Sequence, residues 1–273
     1  MYSAIISLLA GSGVWCALYF TRTAGAGWSS AAGAGALLLS FMLIQRAAGR
    51  KMRLMQDMLK NWMTDGQARL QSKIQRMQMR INSVSAMKQA QAEIEGEQRK
   101  LVQGALEMTK PMESLVGWVP LMKRQLATMR LQFYWTLKDY KTVDALIPSA
   151  ILMDPMLRAI VIARMYMRND PTGKIAEVYK AGIRRPRYNA CTPLHAVFSW
   201  IQVKRGDIDG AFKTLTAALE NTDNPIIKAN HAALQNNRVS NFSNQPFGDM
   251  WFMLALEEPK IKMQRQHGFP RGR

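Results

Sequence analysis

The first 45 residues of this 273-residue chain contain a single charged side chain, Arg22. A stretch so poor in charge does not suit the solvated surface of a soluble domain. Cysteine is almost as scarce. Cys16 lies in an apolar run and Cys191 far away in a polar one, so no disulfide framework is expected, and a reducing compartment fits. The three histidines, His195, His231 and His267, share no ligand spacing with one another or with Cys191, so no metal site is expected. A phosphate-cradling glycine loop followed by Lys-Ser or Lys-Thr is missing, as is a serine-nucleophile motif. Asp207 with Asp209 reads as a turn, and Glu257 with Glu258 as a helix end. The expectation is a protein that is not an enzyme and has no cofactor. Acidic residues are also few, 19 against 37 basic ones, giving a net charge of +18 and a pI near 10.3. Such a surface attracts anionic lipid, nucleic acid or an acidic protein.

What is present begins with two apolar runs, Ala4 to Phe20 and Trp28 to Ile44, each near the short end of what spans a bilayer as a helix. Residues 1–45 therefore read as a two-helix transmembrane anchor. A cleaved signal peptide is the alternative for the first run, since Ala24-Gly25-Ala26 resembles a cleavage site, but no basic segment precedes it. Trp15, Tyr19 and Trp28 would share one interface. The segment Thr21 to Gly27 offers only Arg22, whereas Arg46, Arg50, Lys51 and Arg53 follow the second run. The positive-inside rule then puts the C-terminal side in the cytoplasm, with a bacterial inner or plasma membrane expected. Those four residues are the candidate contacts to anionic lipid, within residues 46–60. Small residues recur every four positions, Ser3, Ser7 and Gly11 in one run and Gly27, Ala31 and Gly35 in the other. They form either a packing seam or merely a small-residue composition.

Residues 46–110 contain no proline and carry a net charge of +7. Leu59, Trp62, Leu70, Ile74, Met77, Ile81, Val84, Met87, Ile94, Leu101, Ala105 and Met108 recur at helical spacing. This predicts one long basic amphipathic helix. It would either pair as a coiled coil, with another copy through residues 59–108 or with a partner, or dock on the C-terminal domain. The twenty methionines suit irregular gaps between helices.

Residues 111–239 alternate helix-like stretches with turn signals at Pro148, Pro155, Pro171, Pro186, Pro193 and Pro225. Lys138-Asp139-Tyr140, followed by Val143, Ile147, Ala150 and Ile151, is echoed 68 residues later by Gly206-Asp207-Ile208 with Ala211, Leu215, Ala218 and Leu219. Half of that interval is 34 residues, and Gly173 lies 34 after Asp139. Phe198 and Ser199 fill a large and a small position of the last unit, and Pro155 closes the first. These residues resemble the tetratricopeptide repeat family. Glu177 departs from it where a small residue is expected. The resemblance implies a solenoid of antiparallel helix pairs and a role in binding a protein partner. Arg184, Arg185, Arg187 and Tyr188 form a candidate partner-binding loop, or else an ordinary solvated one. In residues 240–273, a short apolar helix from Met250 to Glu258, capped by Asp249, precedes a basic arm.

The expected protein is thus all-α: a membrane hairpin, a basic helix and a helical-repeat domain. It would act as a cytoplasm-facing scaffold, of the kind that serves as a subunit of an envelope complex. The alternative is a membrane-associated binder of anionic lipid or nucleic acid through the basic helix and tail, with nucleic acid the less favoured.

Overall fold

The computed structural model describes residues 2–21, 26–78, 84–184 and 188–258. Every regular element among them is helical. The chain divides into two compact units, Met1–Ile151 and Leu152–Arg273. The segment 111–239, expected to be one domain, is therefore shared between them.

In the first unit the two apolar runs become α1 (Tyr2–Phe20) and the start of α2 (Ala26–Gln78). α2 does not end where the apolar run does. Ala47 and Ala48 are good helix formers and nothing between Ile44 and Gln78 breaks the helix, so the apolar run and the basic segment share one helix of 53 residues. At 1.5 Å per residue it is about 80 Å long. It does not continue to Met108. α3 (Val84–Thr109) is a separate helix packed antiparallel on α2, so the long single helix expected from the sequence is a hairpin. Two glycines explain the close fit. Leu101 lies over Gly66, and the Trp62 indole lies over Gly104, where a Cβ would stand 2.7 Å from the ring. The same indole donates to the Leu101 carbonyl at 3.3 Å. Lys73 reaches Glu93 at 2.6 Å and Glu97 at 3.5 Å, and the Glu93 hydrogen bond leads the causes that raise its pKa. Much of the apolar stripe from Leu59 to Met108 thus finds partners within the chain. Ile81 and the side chain of Val84 lie outside the described residues.

Beyond the apolar run, Met52 and Leu59 of α2 meet Ala105 of α3, Met112 and Leu115 of the 3-10 turn Pro111–Leu115, and Met122 and Leu126 of α4 (Met122–Thr136). α5 (Tyr140–Leu146) then packs on α4.

The second unit holds α6 (Pro155–Met167), α7 (Thr172–Ile183), α8 (Thr192–Lys204), α9 (Ile208–Leu219) and α10 (Pro225–Gln235). α6 packs on α7 and α8, α8 on α7 and α9, and α9 on α10. The local geometry of the turns is shared across both units. α4, α6, α8 and α10 are each followed by a residue at positive φ: Lys138, Asn169, Gly206 and Asn237. The next amide, of Asp139, Asp170, Asp207 and Arg238, donates five residues back, to Tyr134, Met165, Gln202 and Ala233, at 2.8–3.0 Å. That is the Schellman closure, which satisfies carbonyls a helix end would otherwise leave unpaired. Asp139 and Asp207 then cap α5 and α9, accepting from Thr142 N at 3.2 Å and Gly210 N at 2.9 Å. Each such cap is worth about 1 kcal/mol.

The middle turn lies at Asn169-Asp170, not at Gly173, which is inside α7. Pro171 takes the place before α7 that Asp139 and Asp207 take before α5 and α9. Counting from there, Ile175, Tyr179 and Gly182 of α7 stand at the offsets of Ala211, Leu215 and Ala218 of α9; Val143 is the first of the three in α5, but α5 ends at Leu146, so Ile147 lies in a 3-10 turn and Ala150 in extended backbone. The last position is small in both α7 and α9. At Gly182 a Cβ would stand 2.7 Å from Leu194 Cδ1. Glu177 is an exposed residue of α7.

The C-terminal helix is shorter than expected. α11 is only Asp249–Phe252, capped by Gly248 rather than by Asp249. Its apolar residues do dock. Trp251 is buried 5.6 Å from Trp200, and both indole N–H groups donate to the Glu257 carboxylate, at 2.9 and 3.0 Å. Asn244, fully buried, donates to the Ala196 carbonyl and accepts from Asn230, both at 2.8 Å, tying this segment to α8 and α10. The basic arm from Lys260 onward lies outside the described residues.

Candidate functional site

α1 and the first part of α2 are long and apolar enough to cross a membrane. Their packing is inverted relative to a water-soluble core. The residues buried on α1 are Ser3, Ser7 and Gly11, and Ser29 and Gly33 are buried on α2. Leu8, Leu9, Phe20, Trp28, Leu38, Leu39, Met42 and Leu43 are exposed. The helices run antiparallel, with Gly11 against Leu37 and Gly33 against Trp15. A Cβ on Gly11 would stand 2.7 Å from Leu37 Cβ and 2.9 Å from the Gly33 carbonyl oxygen; one on Gly33 would stand 2.9 Å from Trp15 Cβ. Small side chains let the backbones approach this closely.

Ser7 and Gly11 therefore lie on the seam, but the stripe expected on α2 does not. Gly27 and Ala31 are exposed, and a Cβ on Gly27 or Gly35 would meet nothing within 4 Å. The face that packs is Ser29, Gly33 and Leu37, two positions along and so on the far side of the helix. Residues 29 to 36 are all serine, glycine or alanine, so small size could not single out one face. Only the partner helix does.

At the end of this pair where α1 begins, Gln45 Nε2 donates to Ser3 Oγ and to the Trp118 carbonyl, each at 3.1 Å. The Tyr2 amide donates to the Gly117 carbonyl at 2.9 Å, and the Tyr2 and Trp118 rings lie 5.8 Å apart. Trp15 and Tyr19 stack at 5.2 Å toward the other end, and Trp15 Nε1 donates to Ser30 Oγ at 3.3 Å. Aromatic groups therefore flank the pair at both ends. Trp118 had no signal in sequence, because its place depends on a fold-back of 73 residues from Gln45. The turn residues Arg22 to Gly25 lie outside the described residues. Arg46, Arg50, Lys51 and Arg53 follow Gln45 and are all exposed.

The expected recognition loop is described only in part. Arg184 is exposed, while Arg185 and Arg187 lie outside the described residues. Tyr188 is exposed and its hydroxyl donates to Asp223, which also pairs with Lys228 at 3.0 Å. The Tyr188 and Lys228 contacts hold the Asp223 carboxyl below its ordinary range.

A strongly perturbed buried pair lies elsewhere. His195 and Tyr179 are buried, with the Tyr179 hydroxyl 2.8 Å from His195 Nδ1. Burial pushes the His195 imidazole down to about 4 and raises the Tyr179 phenol, with Cys191 adding to the latter. The phenol keeps its proton and donates it, so Nδ1 of a neutral ring accepts. Phe198 stacks on Tyr179 at 4.3 Å and seals the pair. Among the described residues, no group of three or more His, Cys, Asp or Glu side chains could hold a metal. Compared with known proteins, the chain matches no family model, no curated protein and no solved structure.

Proposed function

We propose that this protein is a membrane-anchored scaffold rather than an enzyme. α1 and the first part of α2 cross the bilayer as a hairpin, and the remaining helices lie on the cytoplasmic side, where helix pairs of tetratricopeptide-repeat type bind a protein partner. The observation that carries the anchor is the inverted packing. The apolar side chains of α1 and α2 face outward and the small and polar ones face each other, an arrangement that is costly in water and natural in lipid. The basic residues after Ile44 set the orientation. The recurrent Schellman turns and the small position shared by Gly182 of α7 and Ala218 of α9 support the repeat. Stacked pairs such as those of α6 to α10 offer an extended surface to a peptide.

Topology is the direct test. In a chain lacking Cys16 and Cys191, a cysteine at Thr23 should react with an impermeant maleimide added to intact cells, and one at Arg273 should react only after lysis. The opposite pattern overturns the orientation, and extraction of the chain by carbonate overturns the anchor. The competing role, binding of a polyanion through basic segments, predicts affinity that falls log-linearly with salt. Binding of a peptide through apolar contacts predicts little salt response.

A further inference from the structure

We propose that Trp118, Pro120 and Leu121, on the turn leading into α4, form a second contact with the bilayer. They rest in the headgroup layer of the cytoplasmic leaflet and brace the helices of the first unit against the membrane. This rests on the anchor reading above.

Gln45 sets the depth. It is the first strongly polar residue after the second apolar run, so it marks where the hydrocarbon ends on α2. Its side-chain amide binds the Trp118 carbonyl and Ser3 together. The Gly117 carbonyl accepts from Tyr2 at the start of α1. The turn is therefore level with the cytoplasmic ends of both spanning helices. Gly117 permits the approach, since a Cβ there would overlap the Tyr2 ring.

The two valines of the turn set its direction. Val116 and Val119 pack on the cluster beneath the anchor. Pro120 and Leu121 are turned outward, with Leu121 60% exposed. Leu121 is also an odd choice for its backbone. It has φ 61° and precedes the first turn of α4 without a side-chain cap. Asn tolerates that conformation better than leucine does. A leucine at such a place gives up that tolerance and exposes apolar area, which suits the headgroup layer at the edge of the acyl chains better than water. Trp118 beside Tyr2 supplies the amphipathic rings favoured at the interface. Lys123 and Arg124, both exposed, follow directly and suit anionic headgroups.

The test uses the full chain with Cys16 and Cys191 replaced by alanine, reconstituted in vesicles of phosphatidylethanolamine and phosphatidylglycerol. A nitroxide is attached at Leu121→Cys, at Leu39→Cys or at Ala92→Cys on the exposed face of α3, and collision with oxygen and with a water-soluble nickel chelate is measured by power saturation. Circular dichroism checks that each variant keeps the parent's helix content. The Leu39 label should favour oxygen and the Ala92 label nickel. The Leu121 label should lie between them, with an oxygen-to-nickel ratio several-fold above that at Ala92. A Leu121 label that behaves like the one at Ala92, with Leu39 still in hydrocarbon, overturns the brace and leaves the anchor standing. A Leu121 label shielded from both reagents means protein covers the turn, and also overturns it. A Leu39 label that behaves like the one at Ala92 overturns the anchor reading itself, and the brace with it.

Discussion

His195 makes the second unit's stability depend on pH in a direction that can be worked out in advance. The ring is buried on α8 and burial lowers its pKa from 6.5 to about 4. The folded state therefore binds the proton more weakly than the unfolded state. Between those two values the unfolded chain carries more protons, so stability rises with pH across that window. The contribution is fully present above 6.5 and is lost progressively as pH falls toward 4. Converted at 1.36 kcal/mol per unit, the shift is worth about 3 kcal/mol in full, and about 2 kcal/mol of it should be lost between roughly pH 7.5 and pH 5. His195→Asn removes the titration while leaving an acceptor near the Nδ1 position for the Tyr179 hydroxyl. Urea denaturation of the detergent-solubilised chain at the two pH values, followed by tryptophan emission, measures both proteins. The wild type should lose more stability on acidification than the variant, by about the amount given. Equal losses would refute the reasoning. So would an NMR titration that places the His195 ring near its ordinary value, since the ring would then be reached by water.

Packing sets two further outcomes. Gly33→Val should destabilise the α1–α2 pair by about 1–3 kcal/mol, because the new side chain meets Trp15 and the Gly11 backbone, whereas Gly35→Val should be nearly neutral; unfolding of the full chain in mixed micelles distinguishes them, and equal effects would move the seam. Ala211→Arg, at a fully buried position between paired helices, should abolish the cooperative melt of the second unit, while Ala217→Arg on the exposed face of α9 should shift it little.

The sequence by itself determined the helical class, the two apolar runs and where they end, because these depend on local composition and period. It also held the 68-residue interval between Asp139 and Asp207, since each capping aspartate sits next to the turn it closes. It did not hold the middle turn. The caps Asp139, Pro171 and Asp207 are 32 and then 36 residues apart, so halving the 68-residue interval pointed to Gly173 instead of the turn at Asn169. Tertiary structure alone decided the rest. Which face of α2 meets α1 could not be read from a run of serine, glycine and alanine, all of them small enough for the seam. That the stripe from Leu59 to Met108 is divided between two antiparallel helices, α2 and α3, was not legible either, because the amphipathic period is the same in one long helix or in two. The place of Trp118 beside Tyr2 joins residues more than a hundred positions apart, through two backbone carbonyls that carry no trace of their partners in the side-chain sequence.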